Sequence, residues 1–194
     1  MDENLRALLI DLYADGTAYD AAQPDRLLRR RNLEPDTAAL LAMVVRIATA
    51  RRVVEIGTSN GYSTIWLADA TRDVGGRVVS VDTQEWPDVR TNLDRAGVAS
   101  VVDLEIADGG RYLAGVPDRT VDLLFLDAER VEYPGWWPHP VRVLRPGGVL
   151  AVDNVLSHPD EVAEFLALVA ADKACIMTTV AVGKGLALAW RRSD

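Results

Sequence analysis

Residues 52–70 read RVVEIGTSNGYSTIWLADA. The first five are mostly β-branched and apolar, which suits a strand buried on both faces. Gly57 and Gly61 then bracket a turn, and the residues after them carry apolar positions at helical spacing. A strand, a glycine turn and a helix in that order predict the opening unit of an α/β fold with a parallel sheet. The turn is G-x-x-x-G. It lacks the G-x-G-x-x-G of dinucleotide folds, since Ser59 and Tyr62 stand where the second and third glycines would be. It also lacks the lysine of a phosphate-binding loop, so pyrophosphate cradling is not expected.

Working outward, the alternation continues through RVVSVD (77–82), PDVRTNLDRAG (87–97), VVDLEIA (101–107), VDLLFLD (121–127) and GVLAVD (148–153). RPGG at 145–148 reads as a turn that starts the last of these strands. The chain then closes with ACIMTTVAV (174–182) and LALAWRR (186–192) around a tight GKG, the signature of an antiparallel hairpin. Upstream, Leu5, Leu8, Leu9 and Leu12, and again Leu40, Leu41, Val44, Val45 and Ile47 after Pro35, predict a helical preface over residues 1–50. Between those runs, DGTAYDAAQPD (15–25) reads as turn, and LLRRR (27–31) as a solvated basic helix face.

With 194 residues and 49% hydrophobic content, the chain suits one domain over 1–194, its α/β core at 51–194. A net charge of −8 excludes a nucleic-acid surface, which needs a basic stripe, and points to a small-molecule partner. The acidic start MDENLRALLIDLY and the absence of a long apolar run argue against a membrane or secretory segment. Cys175 is the one cysteine and reads as a small core residue. These features predict a cytoplasmic protein.

In open sheets of this kind, ligands gather at the carboxyl ends of the strands, near the point where strand order reverses. Glu55 lies two residues before Gly57, where a carboxylate repels phosphate and suits a cationic or hydroxyl-bearing ligand. Asp82 ends the next strand, where an acid accepts hydrogen bonds from ribose hydroxyls. Singly, each residue also fits an ordinary turn or a helix cap. In this order they favour a nucleoside without pyrophosphate.

VVEIGTSNGYSTIWLA, VVSVD, LLFLDAERVEY and RPGGVLAVDNVL resemble the successive motifs of the S-adenosylmethionine-dependent, metal-dependent O-methyltransferases, the group that contains catechol and caffeoyl-CoA O-methyltransferases. The resemblance covers roughly residues 35–191. It implies a Rossmann-like class I methyltransferase sheet of seven strands with a C-terminal hairpin. It also implies that Glu55, Gly57 and Ser63 hold the methionine part of the cofactor, Asp82 the ribose, and Asp108 with Gly109 the adenine. The family is often dimeric, which leaves a homodimer open.

Asp127 ends one strand and Asp153 another, with Asn154 following at once, so two carboxylates and an amide suit a hard cation, Mg²⁺ first and Mn²⁺ or Ca²⁺ after it. In the resembling family these positions bind the metal. The family pattern there is D-A-D-K, and its lysine takes the proton from the acceptor hydroxyl; this chain has Asp127-Ala128-Glu129-Arg130. Arginine stays charged and cannot serve as an ordinary base. Arg130 is therefore expected either to steady the acceptor anion or to pair with Glu129 or Glu132 at the surface. Tyr133, Trp136 and Trp137 are candidates for an aromatic acceptor wall, with core packing as the alternative. His139 and His158 read as loop histidines, His158 being the better outside candidate for a base.

The sequence thus predicts methyl transfer from S-adenosylmethionine to a hydroxyl of a small, aromatic, catechol-like acceptor with a divalent cation. Its rivals are a metal-independent methyltransferase acting on another nucleophile and a non-catalytic S-adenosylmethionine-binding protein. An NAD-dependent oxidoreductase is disfavoured by the glycine pattern.

Overall fold

The computed structural model describes residues 1–193, so Asp194, counted in the expected domain, lies outside the described residues. Two helices open the chain, α1 (Glu3–Ala22) and α2 (Pro35–Ile47). The sheet and its crossovers follow as β1 (Arg52–Ile56), α3 (Tyr62–Asp73), β2 (Arg77–Asp82), α4 (Val89–Arg95), β3 (Val102–Ile106), α5 (Gly109–Gly115) and β4 (Val121–Leu126). Then come a 3₁₀ segment (Arg130–Trp136), α6 (His139–Arg142), β5 (Leu144–Val152), α7 (Pro159–Ala171), β6 (Cys175–Val180) and β7 (Leu186–Arg191).

Among the described residues the strands form one seven-stranded sheet in the order β3-β2-β1-β4-β5-β7-β6. β1 to β5 pair in parallel, while β7 runs antiparallel to both β5 and β6. The expected fold class and terminal hairpin are those observed. Strand order reverses between β1 and β4, which places the switch point where the sequence puts Gly57 and Asp127.

The alternation of side chains along a strand divides the interior in two. Leu123 and Phe125 of β4 face one core with Val53, α1, α2 and α3; Leu124 and Leu126 face the other with Val54, Ile56 and α7. All four β4 side chains are fully buried, which explains the unbroken apolar run.

Three local readings are corrected. α1 continues to Ala22, through most of the segment read as turn. Asp2 caps its start by accepting from the Leu5 N–H at 2.8 Å, and buried Gly16 allows Asn32 to pack against the helix. LLRRR leaves a short 3₁₀ turn (Arg26–Leu28) and continues as irregular chain, with Arg31 at φ +49°, instead of a helix face. RPGG lies inside β5, where the pairing with β4 shifts register between Val121 and Leu123 and Gly147 has φ +78°. No helix among the described residues is long and apolar enough to cross a membrane.

At the switch point Asp127 N–H donates to the Ile56 carbonyl at 2.9 Å, and Gly57 has φ +109°. A Cβ on Gly57 would lie 2.1 Å from the Asp127 carbonyl oxygen. Glycine is required by the neighbouring strand, before any ligand is considered. Gly57→Ala is therefore expected to destabilise the protein by about 2–4 kcal/mol through backbone strain and overpacking. Urea denaturation checks this, and an unchanged midpoint would show that the two strand ends separate freely.

Candidate active site

A cavity of about 390 Å³ opens at the carboxyl ends of β1, β4 and β5. That is the scale of small-molecule sites, roughly 300–1,000 Å³. Its floor is the β1–α3 loop, one side is formed by the β4 and β5 ends, and its rim is the 23–34 strap between α1 and α2.

The loop is organised by two acids with different neighbours. Glu55 is fully buried and accepts from three hydroxyls, Ser63 at 2.6 Å, Thr64 at 2.5 Å and Ser80 at 2.6 Å. Burial still outweighs those bonds and pushes its pKa up to about 7. Glu55 is thus placed behind the cavity, where it orients Ser63, while Ser63 and Gly57 line the cavity. Asp82 accepts the Thr58 and Ser59 N–H groups on Oδ2 at 3.0 and 2.9 Å, which bends the loop. Its Oδ1 has only long contacts of 3.4 Å from Thr83 and Gln84, so one oxygen retains capacity for a ligand.

Asp127, Asp153 and Asn154 do come together. Asp127 and Asp153 continue the ladder, Asp153 N–H donating to the Leu126 carbonyl at 3.1 Å, and Asn154 Nδ2 donates to Asp127 Oδ1 at 3.1 Å. Asn154 has φ +67°, the left-handed turn that folds its amide back toward the carboxylates. Both acids are pushed above the ordinary carboxylate range, by burial first; the charge of Asp127 raises Asp153 further, while Arg31 and Lys184 hold Asp127 down. Asp153 is 2% exposed, and its Oδ1 is buried without a partner.

Arg130 lines the same cavity but pairs with neither surface acid expected. Its Nε and Nη2 both bind Glu161 Oε2 of α7, at 2.9 and 2.8 Å, and the residue is 5% exposed. Glu129 pairs instead with Arg26 at 3.2 Å and Arg31 at 2.9 Å. Tyr133 is a core brace: its hydroxyl accepts the Ala128 N–H at 2.8 Å and donates to the Ala128 carbonyl at 3.2 Å, fixing the loop after Asp127. Trp136 packs on Gly109 and Gly110, and neither these two aromatics nor Trp137 lines the cavity. The aromatic side chains that do are Tyr13, Tyr62 and Trp86.

Asp108 is exposed, caps α5 by accepting the Arg111 N–H at 2.8 Å, and stands outside this cavity with Gly109. His139 accepts from Arg142 away from the site, whereas His158 lies on the rim beside Ser157. Residues missed by sequence reasoning are Glu34, Lys184 and the strap arginines. Lys184 Nζ sits 2.7 Å from Glu34 Oε1, joining the β6–β7 turn to the start of α2. The available signal was the lysine itself, since Lys173 and Lys184 are the two lysines among 21 basic residues.

The sequence pattern of the family described as O-methyltransferase matches residues 21–192. The chain belongs to the O-methyltransferase family. Catechol O-methyltransferase of Mycobacterium tuberculosis is 36% identical over 143 residues, 72% of this chain and 62% of that protein, so the match spans less than two thirds of the relative. The O-methyltransferase from Bacillus cereus, solved in complex with SAH, is similar with a TM-score of 0.80 and 26% identity, over 96% of this chain and 91% of the other. TomG of Streptomyces achromogenes, solved with SAM, has a TM-score of 0.75 and 27% identity over 100% and 91%.

For an O-methyltransferase the donor set is informative. Asn60 and Trp86 line the cavity with their amide atoms and indole Nε1 buried and unpartnered, which fits a polar cofactor. Among the described residues no three His, Cys, Asp or Glu side chains converge as a metal cage. Two carboxylates and an amide with an orphaned oxygen nevertheless suit a hard cation that also takes water or ligand oxygens.

Glu55 gives a pH prediction. Its folded pKa of about 7 exceeds the ordinary 4.5, so the native state holds its proton more tightly and stability falls as pH rises from about 4.5 to 7. A shift of that size corresponds to about 3 kcal/mol. Denaturation at pH 4.5 and pH 7.5 should show Glu55→Gln escaping most of that decline relative to the unmutated protein; parallel profiles would assign the pH dependence elsewhere.

Proposed function

We propose that this O-methyltransferase moves a methyl group from S-adenosylmethionine to a hydroxyl of a small catechol-like acceptor, with a divalent cation, Mg²⁺ first, held by Asp127, Asp153 and Asn154. The observation that carries this reading is the shared cavity: the glycine loop and the two buried acids face one volume of about 390 Å³. The cofactor supplies an electrophilic methyl on sulfur, and the cation supplies Lewis-acid polarisation of the acceptor oxygen.

The chain's own part is positioning. Ser63 and Gly57 line the part of the cavity assigned to the methionine end, with Glu55 holding Ser63 from behind. Asp82 Oδ1, which has only long contacts, is assigned to a ribose hydroxyl, and Asp108 with Gly109 to the adenine side, all three standing beyond the lining of the main cavity. Asp127 and Asp153 form the side of the cavity next to the loop, so an acceptor held there would lie beside the methionine end, the proximity that transfer needs. Arg130 keeps its charge and is tied to Glu161, so it stabilises an anion by field and does not remove the proton.

One observation favours a metal-independent reading. Lys184 and Arg31 already offset the charge of Asp127, so protein cations supply part of what a metal would. Chelation separates the two: turnover lost with chelator and restored by Mg²⁺ supports the cation, and undiminished turnover supports the protein charges.

Two substitutions test the assignments. Asp82→Ala should weaken S-adenosylmethionine binding by about 1–3 kcal/mol, because both loop amides and cofactor hydroxyls lose their acceptor; an unchanged affinity by calorimetry would remove Asp82 from the site. Asp153→Ala should abolish Mg²⁺-dependent turnover on catechol while SAH still binds. Retained turnover would place the cation elsewhere.

A further inference from the structure

The LLRRR run (27–31) of the 23–34 strap reads from sequence as a solvated face, yet Arg29, Arg30 and Arg31, with Arg26 just before the run, line the cavity. In a chain of net charge −8, four guanidiniums on one rim are a local reversal of sign. Their partners are fewer. Arg30 is matched by Asp88 at 2.5 Å and lies 4.5 Å over the Tyr19 ring. Arg26 and Arg31 share the single carboxylate of Glu129. Asp20 spends its two oxygens on the backbone N–H groups of Arg30 and Arg31, at 2.7 and 2.8 Å, which shapes the strap. Arg29 donates Nε to the Gln23 carbonyl at 2.9 Å and has no ion pair among the described residues.

The other cavity charges balance among themselves, Lys184 with Glu34 and Arg130 with Glu161, leaving Asp127 and Asp153 as the deep pair. Of the four strap guanidiniums, those of Arg26, Arg30 and Arg31 each meet a carboxylate, so one positive charge stands without an ion pair among the described residues. It resides on a half-buried guanidinium whose two terminal nitrogens are unspent, a geometry that takes two oxygens of one anion side by side.

We propose that Arg29, supported by Arg26 and Arg31, is an anion subsite on the acceptor side of the cavity, and that the acceptor is a dihydroxylated ring bearing a carboxylate. The ring identity rests on the methyl-transfer reading; the subsite does not. A single guanidinium without an ion pair, its two terminal nitrogens unspent, matches a monoanion. The strap reaches both sides of the cavity, the Arg30 carbonyl accepting from the Ser59 hydroxyl of the β1–α3 loop at 2.8 Å while Arg31 pairs with Glu129 and acts on the charge of Asp127, and the subsite is placed on the latter, acid side.

Calorimetry on the SAH-loaded protein with Mg²⁺ tests this with three ligands: catechol, 3,4-dihydroxybenzoate and 3,4-dihydroxyphenyl phosphate. The native protein should bind the benzoate about tenfold or more tighter than catechol, the worth of a charge-assisted pair. Arg29→Gln should bring the two to within about twofold, and Arg29→Lys should recover part of the preference. No preference in the native protein, or a preference that survives Arg29→Gln, overturns the subsite. A preference for the phosphate over the benzoate overturns the carboxylate. A tenfold loss of SAH affinity in Arg29→Gln, with the acceptor ratio intact, would give the arginine to the cofactor and sink the proposal. Carboxylate-dependent binding without methyl transfer would uphold the subsite and reject the reaction instead.

Discussion

The contact on which the rest depends is the approach of the β1 and β4 ends, where Gly57 faces the Asp127 carbonyl and Asp127 N–H bonds the Ile56 carbonyl at 2.9 Å. No side chain fits between them. The consequence is that the β1–α3 loop and the first acid of the β4 end are held together by backbone, at the point where strand order reverses. Positioning a donor and an acceptor against each other needs such rigidity, because small displacements of reacting groups are expensive in rate. Tyr133 extends the same brace by clamping Ala128 from both its N–H and its carbonyl.

Around this contact the molecule buries several carboxylates and treats them in two ways. Glu55 receives three hydroxyl donors, a set that tolerates either protonation state because hydroxyls rotate. Asp153 receives no such donors and keeps an orphaned oxygen beside the charge of Asp127. A structural acid is satisfied internally; an acid left unsatisfied in a cavity wall is arranged for something that arrives.

The sheet was legible because its determinants are local. RVVEI and RVVSVD coincide with β1 and β2, since β-branched runs bounded by glycine or acid leave little latitude. Pro35 marked the start of α2 for the same reason. The resemblance brought Asp127, Asp153 and Asn154 to one edge, and the topology does place them there. What local pattern could not convey is long-range pairing. Glu129 is bound by arginines 98 and 103 residues away, so LLRRR looked like a solvated run and the Glu129–Arg130 pair looked self-contained. The aromatic cluster after Asp127 was ambiguous because only packing decides between wall and core; Tyr133 met Trp136 and Phe165, with ring centroids 4.9 and 5.5 Å away, and went to the core.

Arginine at 130 shows how one such pairing changes chemistry. Its planar fork gives two bonds to one oxygen of Glu161, fastening the 3₁₀ segment after β4 to α7. An ammonium is a compact point charge with no such fork, whereas a guanidinium holds its geometry and keeps its charge at every useful pH. Where the resembling pattern has a lysine, this chain has a fixed structural tie that still faces the cavity. Under the proposed methyl transfer, a proton leaving an acceptor hydroxyl would find no amine at 130, and the protein's own field there is set by Arg130, Lys184 and Arg31 against Asp127 and Asp153, with His158 on the rim. With a fixed cation at 130, the acidity of the acceptor becomes, under the proposed reaction, the variable on which this site would select.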